Sequence, residues 1–179
     1  STQNMTNLSP GLYTVTITDA RGCSLVRSAT VTQGGTLTTV LTPTRVTCNG
    51  ADNGSITTTT TGGSGTYTYI WSNNETGQNI YNLIPGSYHV TITDNSGCSV
   101  IASKSVSQPA VIRITPNVTN ITCGGSSTGE IDLTVAGGTS PYQFLWSNGN
   151  TTQTISNIPA GEYNVTVTDV NSCVKTASV

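Results

Sequence analysis

Along residues 86–98, GSYHVTITDNSGC, apolar and polar side chains alternate: Tyr88, Val90 and Ile92 fall on one parity, His89, Thr91 and Thr93 on the other. A period of two marks a strand with one buried face, and Asp94-Asn95-Ser96-Gly97 ends it as a turn. The pattern recurs as GLYTVTITDARGC at 11–23 and GEYNVTVTDVNSC at 161–173, with offsets 86 − 11 = 75 and 161 − 86 = 75. The register extends further. Trp71 maps to Trp146, Gly54 to Gly129, Tyr67 to Tyr142, and Gly62-Gly63 to Gly137-Gly138, while Asn7, Asn82 and Asn157 each stand just before the repeated hairpin. A fixed period without drift is the signature of a tandem array.

The joints are expected near Gln33-Gly34-Gly35 and Gln108-Pro109-Ala110. The chain then reads as a fragment of something longer: residues 1–34 are the C-terminal half of a truncated repeat, 35–109 a complete one, and 110–179 a second, nearly complete one. Strands are predicted in the last unit at Val111–Thr115, Val118–Thr122, Glu130–Val135, Tyr142–Ser147, Thr151–Ser156, Tyr163–Asp169 and Cys173–Val179. About seven short strands with Gly, Pro or Asn punctuation predict an all-β, immunoglobulin-like Greek-key sandwich. Ile131, Leu133 and Val135 should face Tyr142, Phe144 and Trp146, with Tyr163, Val165 and Val167 completing the core; Trp71 and Tyr88 take the same places in the middle unit. There Ile56 is followed by Thr58 and Thr60. The middle unit is therefore expected to be less stable, a buried aliphatic side chain contributing about 1.5–3 kcal/mol.

Composition agrees with strands. Only 8% of residues are charged, too few for helix surfaces, while Thr suits strands and Asn and Gly suit turns. A formal net charge of −2 supplies no attraction for nucleic acid or an anionic membrane. No apolar run reaches the ~20 residues that span a bilayer, so membrane insertion by a helix is not expected.

Five cysteines keep the period: Cys23, Cys98 and Cys173 form one series, Cys48 and Cys123 the other. No CxxC pair occurs and His89 is the only histidine, which disfavours zinc. Regular cysteines in a polar β-rich chain favour disulfides and an oxidising, extracellular location. Two pairings are open. The first bridges each unit internally, Cys48–Cys98 and Cys123–Cys173, leaving Cys23 to pair outside the fragment. The second starts from the Greek key, which puts the turn before the second strand and the turn after the penultimate one at opposite ends, ~20 Å apart, whereas a disulfide needs Cα atoms within ~7 Å. Cys48 would then bridge to Cys173 across the joint, and Cys23, Cys98 and Cys123 would pair with units outside the fragment. Cys23–Cys48 ranks third.

Asp19, Asp94 and Asp169 recur at the turn and are the weak candidates for a metal, calcium. Such a site wants six to eight oxygens, and an Asx turn bonding its own backbone is the favoured reading. Trp71 and Trp146 could stack on sugars, but a buried sandwich tryptophan is favoured. His89 should point to solvent. Lys104 and Lys175 are 71 residues apart, out of phase for a repeated isopeptide bond. Asn-x-Ser/Thr stands at Asn4, Asn7, Asn53, Asn74, Asn117, Asn120, Asn150 and Asn164, a frequency that an Asn- and Thr-rich composition explains largely by chance. No catalytic constellation and no cofactor site is found, so no enzymatic activity is expected.

CNGADNGSI at 48–56, GGSGTYTYIWSN at 62–73, NLIPGSYHVTITDNSGC at 82–98 and VSQP at 106–109 resemble the SprB repeat, a family found in large surface adhesins of gliding bacteria. The resemblance covers both later units and the trailing half of the first; the last unit departs at Ser172, where the other two have Gly. It implies export by the type IX route, adhesion to surfaces during gliding, and a cell-surface motility machinery as partner of the parent protein, with no catalytic residues. The reading of the residues is a mechanical stalk whose units contact their neighbours. Two other functions stay open. One is a carbohydrate-binding array holding surface polysaccharide, for which Tyr81 is a candidate although its counterpart is Ser156. The other is the stalk of a secreted polysaccharide-degrading enzyme.

Overall fold

The computed structural model describes residues 4–122 and 127–179, and these contain strands and no helix. Residues 11–31 form a hairpin of β1 (Gly11–Thr18) and β2 (Ser24–Val31). The middle unit comprises β3 (Gly35–Thr44), β4 (Gly54–Gly63), β5 (Tyr67–Trp71), β6 (Ile80–Leu83), β7 (Gly86–Asp94) and β8 (Ser99–Val106). Its sheets are ordered β3-β4-β6 and β5-β7-β8. The last unit repeats this with β9 (Arg113–Thr119), β10 (Gly129–Ala136), β11 (Tyr142–Trp146), β12 (Thr154–Ile158), β13 (Asn164–Asp169) and β14 (Val174–Ser178), in sheets β9-β10-β12 and β11-β13-β14. All pairings are antiparallel. This strand order is that of an immunoglobulin-type Greek key without the fourth strand of its first sheet.

The count differs from the sequence expectation. Val111–Thr115 and Val118–Thr122 were predicted as two strands, but one strand, β9, runs through Pro116, which stands opposite Leu133. An edge strand pairs on one side only, so a residue lacking N–H is tolerated there; Pro43 on edge strand β3, opposite Ile56, repeats the device. The strand predicted at Thr151–Ser156 begins instead at Thr154, because the carbonyl of Thr152 turns away to accept the Trp146 indole N–H at 2.9 Å.

Each sandwich has its own core. Trp71 and Trp146 are both 2% exposed, and the Trp71 indole N–H donates to the Gly77 carbonyl at 2.8 Å. Buried tryptophans need such a partner. Tyr88 and Tyr163 are half-buried against the cores rather than enclosed by them. Their hydroxyls donate to the Ile84 and Pro159 carbonyls, both at 2.9 Å, and Tyr13 does the same to Ser9 at 2.7 Å. Each tyrosine thus pins the turn leading into its own strand. Just before those turns Asn7, Asn82 and Asn157, the last two inside β6 and β12, take left-handed backbone with φ of 57, 53 and 56°, a conformation asparagine tolerates better than most residues.

The two sandwiches solve the same interior differently. Leu133 is fully buried, whereas Thr58 in its place is buried with a hydroxyl that has no partner. One layer away, Val135 and Phe144 are replaced by Thr60 and Tyr69, whose hydroxyls bond each other at 3.2 Å. The second exchange is self-satisfying and the first is not. An unsatisfied buried polar group costs about 1–3 kcal/mol. Thr58→Val is therefore expected to stabilise the middle sandwich by about 1–2 kcal/mol, read as a rise in its denaturant midpoint. Thr60→Val, which strands the Tyr69 hydroxyl, should bring no such gain.

Candidate functional site at the joint between units

The repeated hairpin is built on one carboxylate. In the last unit, Oδ1 of Asp169 accepts the backbone N–H groups of Asn171 (2.8 Å) and Cys173 (2.9 Å), and Oδ2 accepts that of Thr139 (2.8 Å). In the middle unit, Oδ1 of Asp94 accepts from the Ser96 and Cys98 N–H groups (both 2.9 Å) and the Ser96 hydroxyl (2.8 Å), and Oδ2 from Ser64 N–H (3.0 Å). Asp19 bonds Arg21 and Cys23 N–H at 2.8 and 2.9 Å. The carboxylate therefore fixes the turn and, in both full sandwiches, ties it to the loop between the second and third strands. Ser172 has a φ of 66°, the left-handed conformation taken by Gly22 and Gly97 in the other units. The turn is the same in all three despite the substitution.

Both buried carboxyls are held below their ordinary value. For Asp94 the Ser96 hydroxyl is the main cause; burial opposes it, and the Cys98, Ser64 and Ser96 N–H groups reinforce it. For Asp169 burial is the largest single influence and would raise the value, but the N–H groups of Cys173, Thr139 and Asn171 together outweigh it.

This hairpin meets the opposite end of the preceding sandwich. Cys48, in the loop between β3 and β4, is disulfide-bonded to Cys173 with Cα atoms 5.6 Å apart. The linker 107–112 runs beside the bond and is held on both flanks. On the middle unit, Val46 N–H donates to Ser107 O (3.1 Å), Gly50 N–H to Gln108 Oε1 (2.8 Å) and Asn49 Nδ2 to Pro109 O (3.0 Å). On the last unit, Gly138 N–H donates to Ala110 O at 2.8 Å. Arg45 Nη2 reaches Thr139 Oγ1 at 3.2 Å, and Asn171 Nδ2 reaches Thr47 O at 3.4 Å. A cleft of about 340 Å³ borders the disulfide, between Pro109, Ile112, Gly138 and Lys175.

Of the pairings open in the sequence, the structure contains the one across the joint. Cys48–Cys98 and Cys123–Cys173 do not occur, since Cys48 and Cys173 are bonded to each other. The reason is geometric: Cys98 follows β7, whose nine residues carry it about 30 Å from the end where Cys48 lies. Cys23 and Cys98 are exposed free thiols, and Cys123 lies outside the described residues. The sequence reading missed the polar anchors of the joint, Gln108, Asn49 and Arg45. The recurrence of Val31-Thr32-Gln33 as Val106-Ser107-Gln108 was the available signal for the first.

The other candidates are dispersed. Asp19, Asp94 and Asp169 each stay in their own hairpin, and no three metal-binding side chains cluster among the described residues. Tyr81 is exposed on β6, with Ser156 at its place in the last unit. A second cleft of about 260 Å³, between Ile121, Gly129, Ile158 and Tyr163, corresponds to the place filled by buried Val106 in the middle unit.

The SprB repeat model matches residues 40–76 and 115–151, again 115 − 40 = 75 residues apart. The chain carries the SprB repeat twice, as a repeat segment of the kind that builds large surface proteins. No curated protein matches it.

The depressed carboxyls set a direction with pH. A group whose folded value lies below its unfolded one stabilises the fold above the unfolded value, and that contribution is lost as pH falls through the folded one. The melting temperature of the oxidised chain should hold from neutrality down to about pH 5 and fall below about pH 4. Asp94→Asn with Asp169→Asn should melt lower at neutral pH and lose much of that acid slope. An unchanged slope would place the acid sensitivity elsewhere.

Proposed function

We propose that this chain is a non-catalytic stretch of a long extracellular filament on a bacterial cell surface, and that its work is to carry load for surface attachment and gliding motility. The observation that carries the reading is the disulfide across the joint, Cys48–Cys173. A covalent link between consecutive sandwiches resists separation of the units by tension. The chemistry around it agrees. Many Thr and Asn side chains give a surface rich in hydrogen-bonding groups, and disulfides persist where the surroundings are oxidising. The SprB repeats support export through the type IX route and coupling of the parent protein to a motility machinery at the cell surface. Neighbouring repeats are the contacts of each unit, and any adhesive contact with surface polysaccharide belongs to another part of the filament.

Removing whole 75-residue units in frame from the parent gene tests this. The surface filaments of intact cells should shorten in proportion under electron microscopy, and attachment and gliding should weaken with them. Filaments of unchanged length, or shortened filaments on cells that attach and glide normally, would overturn the reading.

A further inference from the structure

The bonded joint between the middle and last units has a counterpart one unit earlier. Cys98 and Cys23 sit in the same carboxylate-held hairpin as Cys173: each N–H donates to its aspartate Oδ1 at 2.9 Å, and each carbonyl accepts the aspartate N–H at 2.9–3.0 Å. The path into the two full sandwiches is also the same. Gly62 and Gly137 have φ of 78 and 80°, and a Cβ on them would lie 1.9 Å from Thr36 O and 2.0 Å from Val111 O. The incoming strand therefore lies equally close at both joints. Gln33 stands where Gln108 holds the Cys48 loop, and β1–β2 pair in the register of β7–β8, Gly11↔Val31 matching Gly86↔Val106. The preceding unit thus meets Cys98 on the framework by which the middle unit meets Cys173.

We propose that Cys98, and likewise Cys23, is the backward-facing half of an inter-unit disulfide. Its partner is a cysteine of the Cys48 type in the preceding unit, so that the native array is closed at every joint. This rests on the array reading of the function. Each bond forms by thiol–disulfide exchange with an oxidising dithiol–disulfide protein of the cell envelope. One cysteine thiolate attacks the donor disulfide to give a mixed disulfide. The partner thiolate then displaces the donor thiolate. Two electrons leave in the reduced donor, and the two thiol protons are released.

The connectivity has a mechanical consequence. A load entering at Cys23 runs along β2 and β3 to Cys48, a stretch of 48 − 23 = 25 residues, and crosses directly to Cys173. The residues between Cys48 and Cys173, 125 apart in sequence, lie outside this path. The 25 that carry it are mostly two strands in series. Strands rise about 3.3 Å per residue, against a limit of about 3.3–3.6 Å for a fully stretched chain. The path is already near its full length while folded, so the oxidised filament cannot extend by unfolding its sandwiches.

The native filament, taken from cells with free thiols blocked before lysis and digested without reduction, supplies the test. Cys98 and Cys23 should appear joined to cysteines of preceding units. Finding either one blocked, or joined to a cysteine of its own unit, would overturn the proposal. Single oxidised filaments pulled end to end should show no unit-sized lengthening before rupture. After reduction they should lengthen in steps of about 200–250 Å, a 75-residue unit stretched out less its folded length. Such steps in the oxidised filament would also overturn it. Normal gliding in cells with shortened filaments would remove the adhesive role and leave the bond map standing.

Discussion

The bond between Cys48 and Cys173 joins two sandwiches that otherwise meet through the linker 107–112 and a few side-chain hydrogen bonds. It forms because each unit offers one cysteine at each end, and the length of the strands keeps those two apart. The hairpin cysteine is aimed by a carboxylate: with Oδ1 of Asp169 bonded to Asn171 and Cys173 and Oδ2 to Thr139, the turn cannot swing away from the unit it belongs to. Electrostatics within one unit thereby set the position of a covalent contact with the next. In the chain-entropy account, closing a loop of 125 residues is worth about 5 kcal/mol, and that stabilisation is shared by two domains rather than confined to one.

Sharing matters because the units are unequal. The last sandwich fills its centre with Leu133, Val135 and Phe144, while the middle one substitutes Thr58, Thr60 and Tyr69 and leaves one hydroxyl without a partner. A small domain has little burial to spare. A link to its neighbour limits how far either unit can open, and the polar anchors at Gln108 and Asn49 hold the linker in place while it does so.

Much of this was legible along the chain. The 75-residue register, the alternation in GSYHVTITD and the two tryptophans pointed to tandem sandwiches with aromatic cores, because side-chain parity and burial are local consequences of a strand. The recurring aspartates read as turn formers, and their carboxylates accept their own hairpin's N–H groups. Strand boundaries were less legible. Pro116 looked like a break between two strands, yet it lies inside edge strand β9, and edge position is a property of the sheet. The joint was the least legible part. Arg45 reaching Thr139, 94 residues away, and Asn171 reaching Thr47 have no periodic signature.

The sequence by itself determined the repeat length, the strand class, the core parity and the presence of a cysteine near each end of a unit, since all of these follow from residue types at fixed short spacings. It left two disulfide patterns open, because the spacing of Cys48, Cys98 and Cys173 is compatible with either. Only the tertiary structure decided between them. The Greek key starts β4 and β7 from the same end of the sandwich, with Gly54 and Gly86 both beside Val106; Cys48 precedes the one and Cys98 follows the other, so the length of a strand separates them, while Cys48 comes within 5.6 Å of Cys173, Cα to Cα, in the neighbouring unit.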